Sequence, residues 1–249
     1  MILQNIKIFA HRGSKGTHPE NTIAAFQKAA ETGADGIEFD VHLSADGELV
    51  IIHDETLDRT TSLTGYVKDH SSQELKTGDA GVKYAKEFTG ERIPFLSEVF
   101  DWAKGNDLLM NVEIKTDRLD YEGIEQKIID SIRHHQMEQR VILSSFNHHS
   151  IEKVKLLAPE LERALLFEGL PDNLEQILRD KQESGFHPDK NSLTEATNEL
   201  AKTLGYKVRP WVANEEADII KLAGMGVDVI MTDYPEKAIK ALKSWQANG

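Results

Sequence analysis

Short apolar runs alternate along this chain with longer segments whose apolar residues recur every three or four positions. The runs at 7–11, 36–41, 48–53, 108–115, 141–145, 163–167, 185–187, 207–212 and 227–232 read as strands. The periodic segments at 21–32, 96–104, 121–135, 148–157, 174–181, 193–204, 215–224 and 235–246 read as amphipathic helices. The first helix carries a start signal, Glu20-Asn21-Thr22 ahead of Ile23-Ala24-Ala25-Phe26, and Gly33 is placed to stop it.

Strands alternating with helices predict a parallel sheet. Nine runs are one too many for an eight-stranded barrel. Only Ser44-Ala45-Asp46-Gly47 separates the second run from the third, whereas a parallel crossover needs about a dozen residues. The third run is therefore a hairpin arm, folded about Ala45-Asp46, which sets His53 opposite Glu38. Eight strands remain, and the predicted fold is an α/β TIM (β/α)8 barrel, with a doubly wound open sheet as second choice. The polar, glycine-containing stretch 55–92 breaks the rhythm. With the hairpin it makes a small insertion after strand 2, about 42–92, lying over the barrel mouth. The chain, 1–249, is expected to be one domain.

Composition narrows the partners. There are 29 basic and 42 acidic residues, a net charge of −13. That excess argues against nucleic acid and anionic membranes, while leaving room for a local positive pocket. Cysteine is absent, which excludes disulfides, a thiolate nucleophile and Cys-ligated zinc. No run approaches the roughly 18 apolar residues of a membrane span. Residues 1–10 lack the pattern of a signal peptide. A cytoplasmic protein acting on a small molecule is expected, with monomer and homo-oligomer equally compatible.

Active sites of such barrels lie at the C-terminal strand ends. The first strand ends in His11-Arg12-Gly13, an imidazole beside a guanidinium that can grip phosphate. Glu38 and Asp40 share one face of the second strand, while Ile37, Phe39 and Val41 must pack on helices. The two acids therefore point into the barrel. Asn111, Glu113 and Lys115 repeat the pattern on the strand that becomes its neighbour, about 4.8 Å away. Three carboxylates on two adjacent strands suit one hard cation, Mg2+ or Ca2+. The alternative is an internal salt-bridge network with Arg12 and Lys115. His53 adds a second imidazole, and two imidazoles can serve as acid and base in one displacement. Together Arg12, Lys115 and the three acids carry one net negative charge, which would repel a phosphodiester. A divalent cation reverses that sign.

The chain then closely resembles the glycerophosphodiester phosphodiesterase family. The matching stretches are Ala10-His11-Arg12-Gly13, Pro19-Glu20-Asn21-Thr22, Gly36-Ile37-Glu38-Phe39-Asp40-Val41, Asp46-Gly47, His53-Asp54, Leu57-Asp58-Arg59-Thr60-Thr61, Glu113-Ile114-Lys115, Ser144-Ser145-Phe146, Trp211-Val212-Ala213-Asn214 and Thr232-Asp233-Tyr234-Pro235. The resemblance implies a TIM barrel that hydrolyses glycerophosphodiesters to sn-glycerol 3-phosphate and an alcohol. It implies His11 and His53 as the acid/base pair, Glu38, Asp40 and Glu113 as metal ligands, and Arg12 and Lys115 on the phosphate. Phe146 and Trp211 would line the glycerol pocket, and His187, at a strand end, would reach the substrate. Two other readings stand beside it: a related barrel phospholipase of D or C type that acts on membrane lipids, lysophospholipids included, and a barrel that binds phosphodiesters without turning them over. The acidic charge weighs against the first, the intact histidine and carboxylate set against the second.

Overall fold

The computed structural model describes residues 6–248, so residues 1–5 and 249 of the expected domain lie outside the described residues. In chain order the elements are β1 (Lys7–His11), α1 (Ile23–Thr32), β2 (Gly36–Leu43), β3 (Leu49–Ile51), α2 (Ser72–Leu75), α3 (Leu96–Ala103), β4 (Leu109–Ile114), α4 (Ile124–His135) and β5 (Val141–Ser145). They continue with α5 (His148–Leu157), β6 (Glu162–Phe167), α6 (Leu174–Lys181), β7 (Gly185–Pro188), α7 (Glu195–Thr203), β8 (Lys207–Val208), α8 (Glu216–Gly224), β9 (Val229–Thr232) and α9 (Pro235–Asn248).

Parallel strands run in the order β8-β7-β6-β5-β4-β2-β1-β9, and β3 pairs antiparallel with β2 outside that path. The ends of the path meet: Asp228 N–H donates to Val208 O (2.9 Å), and Met231 N–H to Pro210 O (3.1 Å). The result is a TIM barrel. The expected strand at 207–212 shrinks to two residues because Pro210 has no N–H for a ladder. Capping follows the sequence signals. Thr22 Oγ1 accepts from Ala25 N–H, and Gly33 closes α1 at φ 81°.

Alternation along the strands sorts side chains as the barrel demands. Ile37, Phe39, Val41, Val112 and Ile114 pack outward against Phe26, Phe100 and Ile128 of the helices. Phe9, Ile142, Ala164, Val229 and Met231 fill the interior. Gly36 is needed there: a Cβ at this position would lie 2.6 Å from the Phe9 ring and 2.7 Å from Leu109 O. The insertion has its own apolar core of Val50, Ile52, Leu57, Val67, Leu75, Ile93 and Phe95. Among the described residues, no helix is long and apolar enough to cross a membrane.

One expected register is wrong. Val41 faces Ile51 and Leu43 faces Leu49, so the hairpin is centred on Asp46 and not between Ala45 and Asp46. The turn holds one more residue because Gly47 takes φ 80° while Ser44 N–H donates to Glu48 O (3.0 Å). Pairing ends at Ile51, so His53 lies beyond β3 and not across from Glu38.

Candidate active site

The mouth of the barrel opens into a cavity of about 610 Å3 at the C-terminal strand ends. His11, Arg12, Glu38, His53, Asn111, Glu113, Lys115, Phe146 and Trp211 all line it. Asp40 sits just beneath, 1% exposed. Register explains the assembly: His11 lies beside Glu38 across β1 and β2, Glu38 beside Asn111 and Asp40 beside Glu113 across β2 and β4.

The turn after β1 places Arg12. Its φ is 52° and that of Gly13 is 77°. A Cβ on Gly13 would meet the Ala25 backbone at 2.7 Å, so only glycine fits under α1. Arg12 N–H donates to Glu38 Oε2 (2.9 Å), its Nη1 donates to Glu20 (2.9 Å), and its Nε stands 3.4 Å from Asp40. Lys115 Nζ donates to Glu113 Oε1 (2.8 Å) and lies 3.8 Å from Asp40. Both cations are thus already engaged with the acids they would help neutralise.

Oxygens of Glu38, Asp40 and Glu113 lie within 4.8 Å of one another, all three side chains being buried. Burial, then the charges of Asp40 and Glu113, push Glu38 well above the usual carboxylate range. Burial lifts Glu113 to about 7, with Lys115 opposing and Asp40 adding to the rise. Burial also acts to raise Asp40, but Arg12 and Lys115 outweigh it and hold that carboxyl far down. The buried Oδ1 atoms of Asp40 and Asn111 have no hydrogen-bond partner. An all-oxygen cluster, crowded with like charge and holding orphaned acceptors, is a donor set that fits one hard divalent cation.

The two imidazoles are held alike. His11 Nδ1 meets Asp233 Oδ1 at 2.7 Å, and His53 Nδ1 meets Asp54 Oδ1 at 2.7 Å. A carboxylate can only accept, so each ring carries its proton on Nδ1 and leaves Nε2 as a base. Burial lowers both below the ordinary histidine value, against the pull of neighbouring carboxylates. His11 Nε2 stands 3.9 Å from Glu38. Phe146 and Trp211 meet edge to face, centroids 5.5 Å apart, as one wall of the cavity.

His187 does not line the cavity. It is fully buried, and its Nε2 accepts from Arg209 Nη1 (3.1 Å). The guanidinium fits because residue 185 is glycine: a Cβ there would lie 2.6 Å from Arg209 Nη1. Burial, then the Arg209 charge, keep this ring neutral. Its link to the site is its backbone oxygen, which accepts from Trp211 Nε1 (3.0 Å).

Sequence reasoning left several supporting residues without a role. Asp233 is gripped by Asn214, which donates from Nδ2 (2.8 Å) and accepts the Asp233 N–H (2.9 Å). Asn21 donates to Asp40 (2.9 Å) from a left-handed backbone, φ 58°. Buried His42 donates from Nε2 to His53 O (3.0 Å) while its Nδ1 meets Tyr121 Oη (3.0 Å). Glu20, Asn21, Asp54, Asn214 and Asp233 all lie in the stretches that carried the resemblance, and that was the available signal.

Comparison with known proteins agrees with this geometry. Residues 11–237 match the Glycerophosphoryl diester phosphodiesterase family. A glycerophosphodiester phosphodiesterase of Caldanaerobacter subterraneus subsp. tengcongensis is 46% identical, over 95% of this chain and 97% of that one. An Oleispira antarctica phosphodiesterase, solved in complex with the product sn-glycerol-3-phosphate, superposes with a TM-score of 0.86 at 32% identity, covering 95% and 96% of the two chains. A glycerophosphodiester phosphodiesterase from Agrobacterium tumefaciens superposes with a TM-score of 0.79 at 30% identity, covering 93% and 97%.

Proposed function

This chain belongs to the glycerophosphoryl diester phosphodiesterase family, and on that premise we propose that it cleaves glycerophosphodiesters by a metal-assisted, two-histidine route. The products are sn-glycerol 3-phosphate and an alcohol. One observation carries the reading: two imidazoles, each with Nδ1 fixed on a carboxylate, face one cavity with the acidic triad.

Glu38, Asp40 and Glu113 are the residues that would hold one divalent cation, Mg2+ or Ca2+, with Asn111 Oδ1 beside them. When bound, the cation withdraws charge from the phosphoryl oxygens. Arg12 and Lys115 keep positive charge at the same end of the cavity. Phe146 and Trp211 give the glycerol carbons an apolar wall. At Nε2, one histidine takes the proton of the nucleophile while the other delivers a proton to the departing alkoxide. Attack by water and attack by the glycerol 2-hydroxyl need the same two transfers. Asp54 and Asp233 stabilise each ring when it becomes charged.

Release of sn-glycerol 3-phosphate from glycerophosphocholine tests the proposal. His11→Ala and His53→Ala should each lower kcat by about 10²–10⁴-fold with the circular dichroism spectrum retained. Near-normal turnover in both overturns the acid/base assignment. Chelation should abolish activity, and Mg2+ or Ca2+ should restore it. Full activity in excess chelator removes the cation from the scheme.

A further inference from the structure

Arg59 belongs to the insertion and does not line the catalytic cavity, yet four of its N–H groups close on two carboxylates. Nε and Nη2 donate to Asp54 Oδ2 and Oδ1 (2.7 and 2.9 Å), and Nη1 and Nη2 donate to Glu20 Oε2 and Oε1 (2.9 and 2.8 Å). A guanidinium has five such donors in a rigid fork, so little of it is left for a ligand. Each carboxylate continues to a residue of the proposed site. Asp54 Oδ1 holds the His53 ring at 2.7 Å, and Glu20 Oε1 accepts Arg12 Nη1 at 2.9 Å. An unbroken chain of hydrogen bonds therefore runs His53–Asp54–Arg59–Glu20–Arg12, from the insertion to the turn after β1.

Among the described residues Asp54 has side-chain hydrogen bonds only to His53 and Arg59. His42 fixes the His53 carbonyl but leaves the ring free to turn. The ring plane of His53 is thus set by Asp54, and Asp54 is set by Arg59. An isolated exposed ion pair stabilises little, but a doubly bidentate one restricts both carboxylates in position and plane.

We infer that Arg59 is a positioning residue, a clamp that aims the His53 imidazole into the cavity and registers the insertion against Arg12. This rests on the two-histidine reading of the site. Arg12 keeps Glu20 and Asp40 as partners when Arg59 is removed, so the main loss is the direction of one proton transfer. Arg59→Ala should lower kcat about 10–100-fold, with KM changed by less than about 3-fold. Millimolar methylguanidinium should recover a large part of that loss and leave wild type unaffected. Arg59→Lys should recover little, since an ammonium cannot present two parallel forks. If Arg59→Ala does not fold, Arg59→Gln keeps most of the side-chain stem, loses both forks and should show the same kcat loss. The clamp is refuted if kcat stays within about 2-fold of wild type, if KM rises while kcat holds, or if methylguanidinium restores nothing to a folded Arg59→Ala. His53→Gln separates the two ideas. An active His53→Gln sinks the two-histidine reading itself, whereas an inactive His53→Gln beside a fully active Arg59→Ala sinks only the clamp.

Discussion

The two imidazoles at the mouth have the same local geometry and opposite foundations. His11 closes a barrel strand, lies beside Glu38 in register, and bonds to Asp233, which Asn214 holds at the end of the neighbouring strand. His53 lies past the end of β3 in the insertion and bonds to Asp54, which depends on a partly exposed arginine. Both bonds are 2.7 Å long. Barrel backbone fixes the first ring, and a chain of side-chain ion pairs fixes the second. Half of the proposed acid/base pair therefore shares the stability of the sheet, and the other half shares that of a small satellite core.

The sharpest way to break this contrast is to weaken that satellite core. Leu75 is fully buried in it, so Leu75→Ala should cost about 2–5 kcal/mol. Hydrogen exchange should show the loss as faster opening of residues 55–92, with amides of β4 and β5 unchanged. Equal loss of protection in the barrel strands would mean that the insertion and the barrel open as one unit.

Next in size are the two orienting carboxylates. Asp233→Asn and Asp54→Asn each let the ring flip tautomer, because an amide can donate where a carboxylate could not. Asp233 is the more enclosed, side chain 16% exposed against 27%. We expect kcat to fall about 100-fold for Asp233→Asn and about 10-fold for Asp54→Asn, the range for residues that orient a functional group. A larger loss at Asp54 would reverse the ranking of the two foundations.

The same division decides what could be read from the sequence. Alternation of Ile37, Phe39 and Val41 with Glu38 and Asp40 admits one facing in a barrel, and removing the hairpin arm makes β2 and β4 neighbours; the triad follows from local pattern plus strand count. The insertion has no such periodicity. Its hairpin register slipped by one residue because the left-handed conformation of Gly47 lengthens the turn, a choice that a four-residue stretch does not dictate. The Arg59 link joins residues 39 positions apart through side chains alone, so no strand or helix pattern announces it. The placement of His187 was illegible for a related reason. A histidine one residue from a strand end can point along the barrel axis either way, and the cleft above Gly185 that admits Arg209 decides for the interior.

The smallest expected effect concerns acid. Burial acts to raise Glu20, but hydrogen bonds from Arg59 and the charge of Arg12 outweigh it and bring this carboxyl down to about 2. A folded value below the unfolded one means that the carboxylate stabilises the fold above the unfolded value, and that this contribution is lost as pH falls through the folded one. The window is therefore from about 4.5 down to about 2. Part of the shift is screened where Arg59 meets solvent, so the contribution is on the order of 1 kcal/mol. Urea titrations at a series of pH values should show wild type losing stability across that window faster than Glu20→Gln, with the two curves parallel above pH 5. Because Glu20 grips Arg12 on one side and Arg59 on the other, the same loss should appear in amides of the insertion before those of β1. Simultaneous loss in both would place Glu20 within the barrel's stability and not at the seam.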